Sequence, residues 1–303
     1  MSYTVNSQNQ FVIDLLTTLR KEKFSPLGWW HFIRHSWEMS WNTAQAHPTL
    51  KRSWARITVF ISTLAIAILL ISFFLEGPAM TIRLLPGFLF CVAWQQSDLF
   101  WHLGLNRQAK TGELLPTVGI ANTFTWLRGL AASFLLGRLI GGVSTASWLA
   151  LLVFMAGIVT DILDGQVARY TRTQSKLGQI ADGEADFCLY SAITIILIQN
   201  GVLPLWLGLM MLLRFLVPLL AALASYFIFA HPIRFGSTVW GKYAALAQCL
   251  YFLVLLAPQQ LAFIARFINL PLLIVTLILL VAAPIAQIVE NVLAETRRAP
   301  TNS

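Results

Sequence analysis

Four aspartates, Asp161, Asp164, Asp182 and Asp186, fall within 26 residues of a chain that carries only 13 acidic side chains. On a helix of about 100° per residue, Asp161, Asp164, Gly165 and Ala168 share one face about 100° wide. Asp182 and Asp186 are four apart and share a face of the next helix, with Gly178 one turn earlier. A short loop between the two makes them antiparallel, so the end of one meets the start of the other. Carboxylates brought that close repel unless a cation lies among them. All-oxygen ligation favours Mg²⁺, Mn²⁺ or Ca²⁺ over zinc. Four carboxylates suit two ions, which can clamp both oxygens of an in-line phosphoryl displacement. Gly165, Ala168 and Gly178 leave room for a ligand near the backbone, and Arg169 and Arg172 stand where a phosphate could be paired.

The elements that position these residues belong to a membrane. Of the 303 residues, 57% are hydrophobic and 11% charged, against about 25% charged in a soluble domain. Uncharged runs of about 20 residues recur, and each matches a bilayer core. The expected fold is an all-α polytopic membrane protein of about eight transmembrane helices: Ile57–Leu75, then near 83–101, 118–140, 146–165, 178–199, 202–229, 239–257 and 268–290. Prolines in the later spans are tolerated where neighbouring helices re-satisfy the backbone. Before the spans, residues 8–22 read as a short amphipathic helix. A second helix follows, whose Trp30, Ile33, Trp37 and Trp41 form one stripe, the pattern of a helix lying in the membrane interface. His31 and His35 have metal-pair spacing but lack a third ligand, so they read as interfacial histidines. Cys91, Cys188 and Cys249 lie far apart in apolar runs and form no disulfide framework.

The net charge of +8 does not point to nucleic acid, because the excess Lys and Arg lie between spans. With the N-terminus inside, 16 of the 21 cationic side chains face the cytoplasm and three, Arg83, Arg138 and Arg266, face out. That asymmetry predicts cytoplasmic termini and puts the carboxylates on the cytoplasmic side of a cell membrane.

The run Asp161-x2-Asp164-Gly165-x2-Ala168-Arg169-x8-Gly178-x3-Asp182-x3-Asp186 resembles the signature of the CDP-alcohol phosphatidyltransferases, with every fixed position filled at the family spacing. Upstream, Asn122-x-Phe124-Thr125-x2-Arg128 resembles the family's first-helix motif, with Ala121 where proline is common. The resemblance implies transfer of a phosphatidyl group from a CDP-linked lipid, typically CDP-diacylglycerol, to an alcohol, with release of CMP and with two Mg²⁺ or Mn²⁺ ions. It implies metal ligation by Asp161, Asp164 and Asp182, with Asp186 as general base and further metal contact. It implies a nucleotide site shaped by Gly165, Ala168, Arg169 and Gly178 and lined by Thr125 and Arg128. It also implies membrane lipids as surroundings, and it admits a homodimer.

On this reading residues 1–56 are cytoplasmic and interfacial helices, and 57–114 add two transmembrane helices. A six-helix core fills 115–292, and 293–303 form a polar tail. The acceptor is not encoded in the quartet. Gly183 and Phe187 replace the Pro and Lys common in glycerophosphate-using members, and Glu184 has no place in the pattern. Arg214 and Lys242 are candidate acceptor contacts. Asp98 reads as facing the bundle or headgroups rather than as a fifth ligand. Two alternatives compete: an intramembrane prenyltransferase, whose Asp-rich motifs lie farther apart than Asp164 and Asp182, and a non-catalytic scaffold or transporter, which an intact quartet disfavours.

Overall fold

The computed structural model describes residues 17–109, 111–229 and 239–296. Residues 8–16 of the first expected helix, Lys110, Arg234 and the tail from 297 lie outside the described residues. Among the described residues nine long helices run in order: α1 (Pro26–Ala46), α2 (Pro48–Glu76), α3 (Pro78–Trp101), α4 (Ile120–Ile140), α5 (Ser147–Tyr170), α6 (Lys176–Gln199), α7 (Leu205–Phe229), α8 (Val239–Leu255) and α9 (Ala262–Thr296). The first three each start on a proline, where the missing N–H costs nothing and φ is already helical. Ser25 caps α1 by accepting a hydrogen bond from the Gly28 N–H at 3.0 Å. The helix over the second expected span begins five residues before Arg83, because Pro78 follows a turn at Gly77 with φ of 85°.

Among the described residues three helices are long and apolar enough to cross a bilayer: Pro48–Glu76, Ser147–Tyr170 and Ala262–Ala286. Leu205–Val217 and Val239–Leu255 are shorter apolar helices. Helix α4 falls short of that apolarity for a physical reason: most of it is interior, with Asn122, Thr125, Arg128, Ser133 and Arg138 all buried. A helix enclosed by protein need not be apolar all round.

The chain forms two compact units. One holds the described residues up to Thr145 together with Val153–Ala192, and the other holds Ala146–Leu152 and the described residues from Ile193 onward. In the first unit α3 and α4 pack antiparallel along a glycine seam. A Cβ on Gly137 would come within 2.7 Å of the Phe88 backbone, and one on Gly141 would strike the Arg83 carbonyl. Gly129 meets Gln95 in the same register, and the Phe88 and Phe134 rings meet edge to face at 6.1 Å. At the far end Arg138 is buried. Its Nη1 donates to both Glu76 carboxylate oxygens, at 2.7 and 2.9 Å, and its Nη2 donates to the Ser144 carbonyl at 2.6 Å. Helix α1 docks on the end of α3: the Trp37 and Phe100 rings lie 5.0 Å apart, and the Trp101 indole N–H donates to Ser36 at 2.6 Å. Trp30, Ile33, Trp37 and Trp41 keep 41–61% of their surface exposed.

In the second unit α9 packs along α8, and the Thr276 hydroxyl donates to the Ala247 carbonyl at 3.4 Å. Helix α9 begins six residues before the expected 268, and contains Pro271 and Pro284.

Candidate active site

The site lies wholly in the first unit, where α4, α5 and α6 supply its side chains. Helix α5 runs on to Tyr170, so Ala168 and Arg169 are helical and the loop before α6 is shorter than the expected 166–177. The helix ends where Arg172 takes a left-handed φ of 56° and the Thr173 N–H turns back to the Ala168 carbonyl at 3.1 Å. Ser175 then starts α6, its Oγ accepting the Gly178 N–H at 3.0 Å.

This loop is strapped by the segment that follows α3. The Ala109 N–H donates to the Gln174 carbonyl at 2.8 Å, the Lys176 N–H donates to the Arg107 carbonyl at 3.0 Å, and the Gln108 side chain donates to the Arg172 carbonyl at 3.2 Å. Buried Asn106 braces the strap by donating to the Thr117 carbonyl at 2.9 Å. The residues added before the expected core therefore fix the turn that joins the two aspartate helices.

The four carboxylates converge as their spacing requires. Oxygens of Asp161, Asp182 and Asp186 all lie within 4.8 Å of one another, a set able to hold a metal ion. Arg128 of α4, 1% exposed, reaches into the same place. Its Nη1 pairs with Asp161 and, at 3.2 Å, with Asp186; its Nη2 pairs with Asp182 and, at 3.0 Å, with Asp164. Asp164 is the buried member and also accepts the Thr125 hydroxyl at 2.9 Å. One guanidinium against four carboxylates leaves an excess of negative charge. The donors are all hard oxygens, so the residues fit a divalent cation of the Mg²⁺ or Mn²⁺ kind.

Beside the quartet is a cavity of about 150 Å³ whose lining includes Asn122, Thr125, Asp164, Gly165, Ala168, Ser175, Gly178 and Asp182. The three small residues expected to admit a ligand line it together, but they do different jobs. A Cβ at Gly165 would meet nothing closer than the flexible Arg169 guanidinium at 3.4 Å, so its surface is open. A Cβ at Gly178 would come within 2.5 Å of Asn122 Oδ1, so this glycine lets α6 close on α4. Arg169 is exposed. Ser175 and the strap carry no motif spacing, and the sequence reading missed them. Arg214 and Lys242 belong to the second unit: Arg214 lies over the Phe215 ring at 4.3 Å, and Lys242 is exposed. Neither belongs to the quartet's own unit.

A helical membrane protein with a carboxylate centre suited to divalent cations, set against a small-residue cleft, is the class these observations define. Residues 118–285, more than half of the chain, match the CDP-alcohol phosphatidyltransferase family, and the protein belongs to that family of transferases of substituted phosphate groups. A 74-residue stretch is 36% identical to a protein of Streptomyces coelicolor named cardiolipin synthase (CMP-forming), covering 24% of this chain and 34% of that protein. The similarity thus spans about a third of the relative's length. No solved structure matches the chain.

Proposed function

We propose that the protein transfers a phosphatidyl group from a CDP-linked lipid, CDP-diacylglycerol in the first instance, to the hydroxyl of an alcohol, with release of CMP. The observation that carries this reading is the meeting of Asp161, Asp164, Asp182 and Asp186 on facing helices, beside a cleft lined by Gly165, Ala168 and Gly178. Asp161, Asp164, Asp182 and Asp186 would hold two Mg²⁺ or Mn²⁺ ions, which when bound neutralise the diphosphate and the departing CMP. Asp186, 30% exposed at its side chain, takes the proton of the acceptor hydroxyl. The freed oxygen forms the new bond to the lipid-side phosphorus, and the bond from that phosphorus to the CMP oxygen breaks, leaving its electron pair on CMP. Thr125 and Arg128 orient the carboxylates, and Gly165, Ala168 and Arg169 shape the nucleotide end. Arg214 and Lys242 are assigned to the acceptor.

The reading places this centre and both termini on the cytoplasmic side of a cell membrane, with eight spans, six of them in a core over 115–292. It is supported by the placement of Arg107, Arg169, Arg172 and Lys176 around the strapped loop. The test is CMP release from CDP-diacylglycerol in membranes supplied with Mn²⁺ and a panel of alcohols. Asp186→Asn is expected to lower release by about two orders of magnitude or more, as loss of a general base does, while Mn²⁺ still raises the unfolding temperature. Undiminished release in Asp186→Asn would remove the base assignment, and no release with any alcohol or metal would remove the reaction.

A further inference from the structure

Helices α3, α4 and α6 enclose a second cavity, of about 500 Å³, whose wall is overwhelmingly apolar. It is separate from the catalytic cleft. Glu184, which lines it, is two residues from both Asp182 and Asp186, so it points about 160° away from them around α6. On α4 the cavity takes Trp126, Gly129 and Ser133, while Thr125 and Arg128 go to the quartet. Its third wall, α3, lies outside the family match at 118–285.

The antiparallel register of α3 and α4 sorts this cavity by polarity. At one end stand Asp98, Gln95, Trp126 and Glu184; toward the other stand Phe90, Cys91, Leu136 and Cys188. Two buried polar atoms at the polar end have no hydrogen-bond partner. Gln95 is 8% exposed and uses its Nε2 on the Trp126 carbonyl at 2.7 Å, which leaves Oε1 unpaired. Trp126 is 4% exposed, and its indole N–H is unpaired. Buried polar atoms are left without partners at a cost of about 1–3 kcal/mol each. Asp98 adds further acceptor capacity at this end, with His102 Nδ1 3.0 Å from it. Phe90 and Trp94, 66% and 64% exposed, leave the cavity open to the side.

We infer that this cavity is a lipid-binding site of its own, taking a single-chain amphiphile whose head donates hydrogen bonds. The apolar chain lies along Phe90, Cys91, Leu136 and Cys188. A hydroxyl or ammonium head satisfies Gln95 Oε1 and the carboxyls of Asp98 and Glu184. A carboxylate head has no hydrogen to give Gln95 Oε1 and leaves it unpaired. Because Glu184 and Ala185 line it, an occupant packs against the helix that carries Asp182 and Asp186.

The test needs no CDP-lipid, so it stands or falls separately from the proposed reaction. The full chain in lipid nanodiscs is irradiated with chain-labelled diazirine analogues of a monoacylglycerol, a fatty amine or a fatty acid, and adducts are mapped by mass spectrometry. The monoacylglycerol and amine arms decide between hydroxyl and ammonium heads. Labelling of α3 at 90–98 and α6 at 184–188 is expected to exceed that by the fatty acid by about fivefold, the worth of one net hydrogen bond. Gln95→Leu should remove most of that preference. Cys91→Trp should fill the cavity and abolish labelling; Ser133→Leu serves the same purpose from α4 should the first variant fold poorly. Equal labelling by all three probes, or labelling that survives both filling variants, would show contact with bulk lipid only and overturn the inference.

Discussion

Arg128 is where the electrostatics of the site can be tested most directly. Arg128→Met keeps a long apolar stem of similar reach and removes the guanidinium. In metal-free solution the four carboxylates then lose their shared cation. The cost is uneven. Asp164, with its side chain only 10% exposed, loses a partner at 3.0 Å and keeps Thr125. Asp161 and Asp182 have side chains 50% and 46% exposed, so water replaces most of what they lose, and each contributes at most about 1 kcal/mol. Breaking one buried pair costs about 3–5 kcal/mol. With Thr125 retained and the other partners hydrated, a total near the lower bound, about 3 kcal/mol, is expected. At about 2–4 °C per kcal/mol for a domain of this size, the unfolding temperature should fall by about 6–12 °C.

A divalent ion among Asp161, Asp182 and Asp186 relieves the repulsion that Arg128 relieved, and it binds better once a positive charge is gone. Both proteins gain from the ion, so in saturating metal the gap narrows by the difference in affinity: a tenfold tighter site in Arg128→Met returns about 1.4 kcal/mol, about half of the loss from the substitution. Thermal unfolding of wild type and Arg128→Met, each in chelator and in saturating Mn²⁺, reads the four states. The gap between the proteins should be wide in chelator and should narrow by about half in Mn²⁺ for a tenfold tighter site in the variant. Equal unfolding temperatures in chelator would show that Arg128 does not hold the quartet. A gap of the same size in both solutions would show that metal and guanidinium do not act on the same carboxylates.

Two other sites give sharp expectations. Gly178→Ala forces a Cβ to within 2.5 Å of Asn122 Oδ1, and should destabilise by about 1–3 kcal/mol, as overpacking does. Asn122→Ala in the same chain should recover part of that loss, and a double-mutant cycle on unfolding temperature with no coupling would refute the contact. Glu76→Gln leaves the buried guanidinium of Arg138 without its anionic partner. Because Glu76 is 31% exposed at its side chain, about 2 kcal/mol is expected, below the about 3–5 kcal/mol of a fully buried pair. Unfolding in increasing salt checks it, since a surface pair would lose its effect by about 1 M and this one should keep it.

The quartet was legible because its geometry is local: three- and four-residue spacings put each pair on one helix face, and a short loop brings the faces together. Helices were legible for a similar reason, each apolar segment reporting on itself: α2 to α9 fall on the expected segments, and among the described residues three are long and apolar enough to cross a bilayer. Segment ends were less clear, since apolarity marks the lipid-facing length and not the hydrogen-bonded one, and α5 and α9 run past it on polar residues. Arg128 shows what could have been read further. A charged side chain in the interior of a span demands a partner, and four anions demand a cation, so the two needs could have been matched before any coordinates. The pairing of Arg138 with Glu76 had no such signal, being made across 62 residues between helices whose register depends on Gly137 and Gly141. The strap is the deepest case. Its bonds from Arg107, Gln108 and Ala109 to the 172–176 turn are mostly backbone bonds, which any residues but proline could make, so no residue type announces them. Yet they come from outside the family match and hold the turn on which the spacing of Asp164 and Asp182 depends. The segment before residue 118 is therefore part of what builds the site, and the spacing of the motif specifies a geometry that the motif alone does not hold in place.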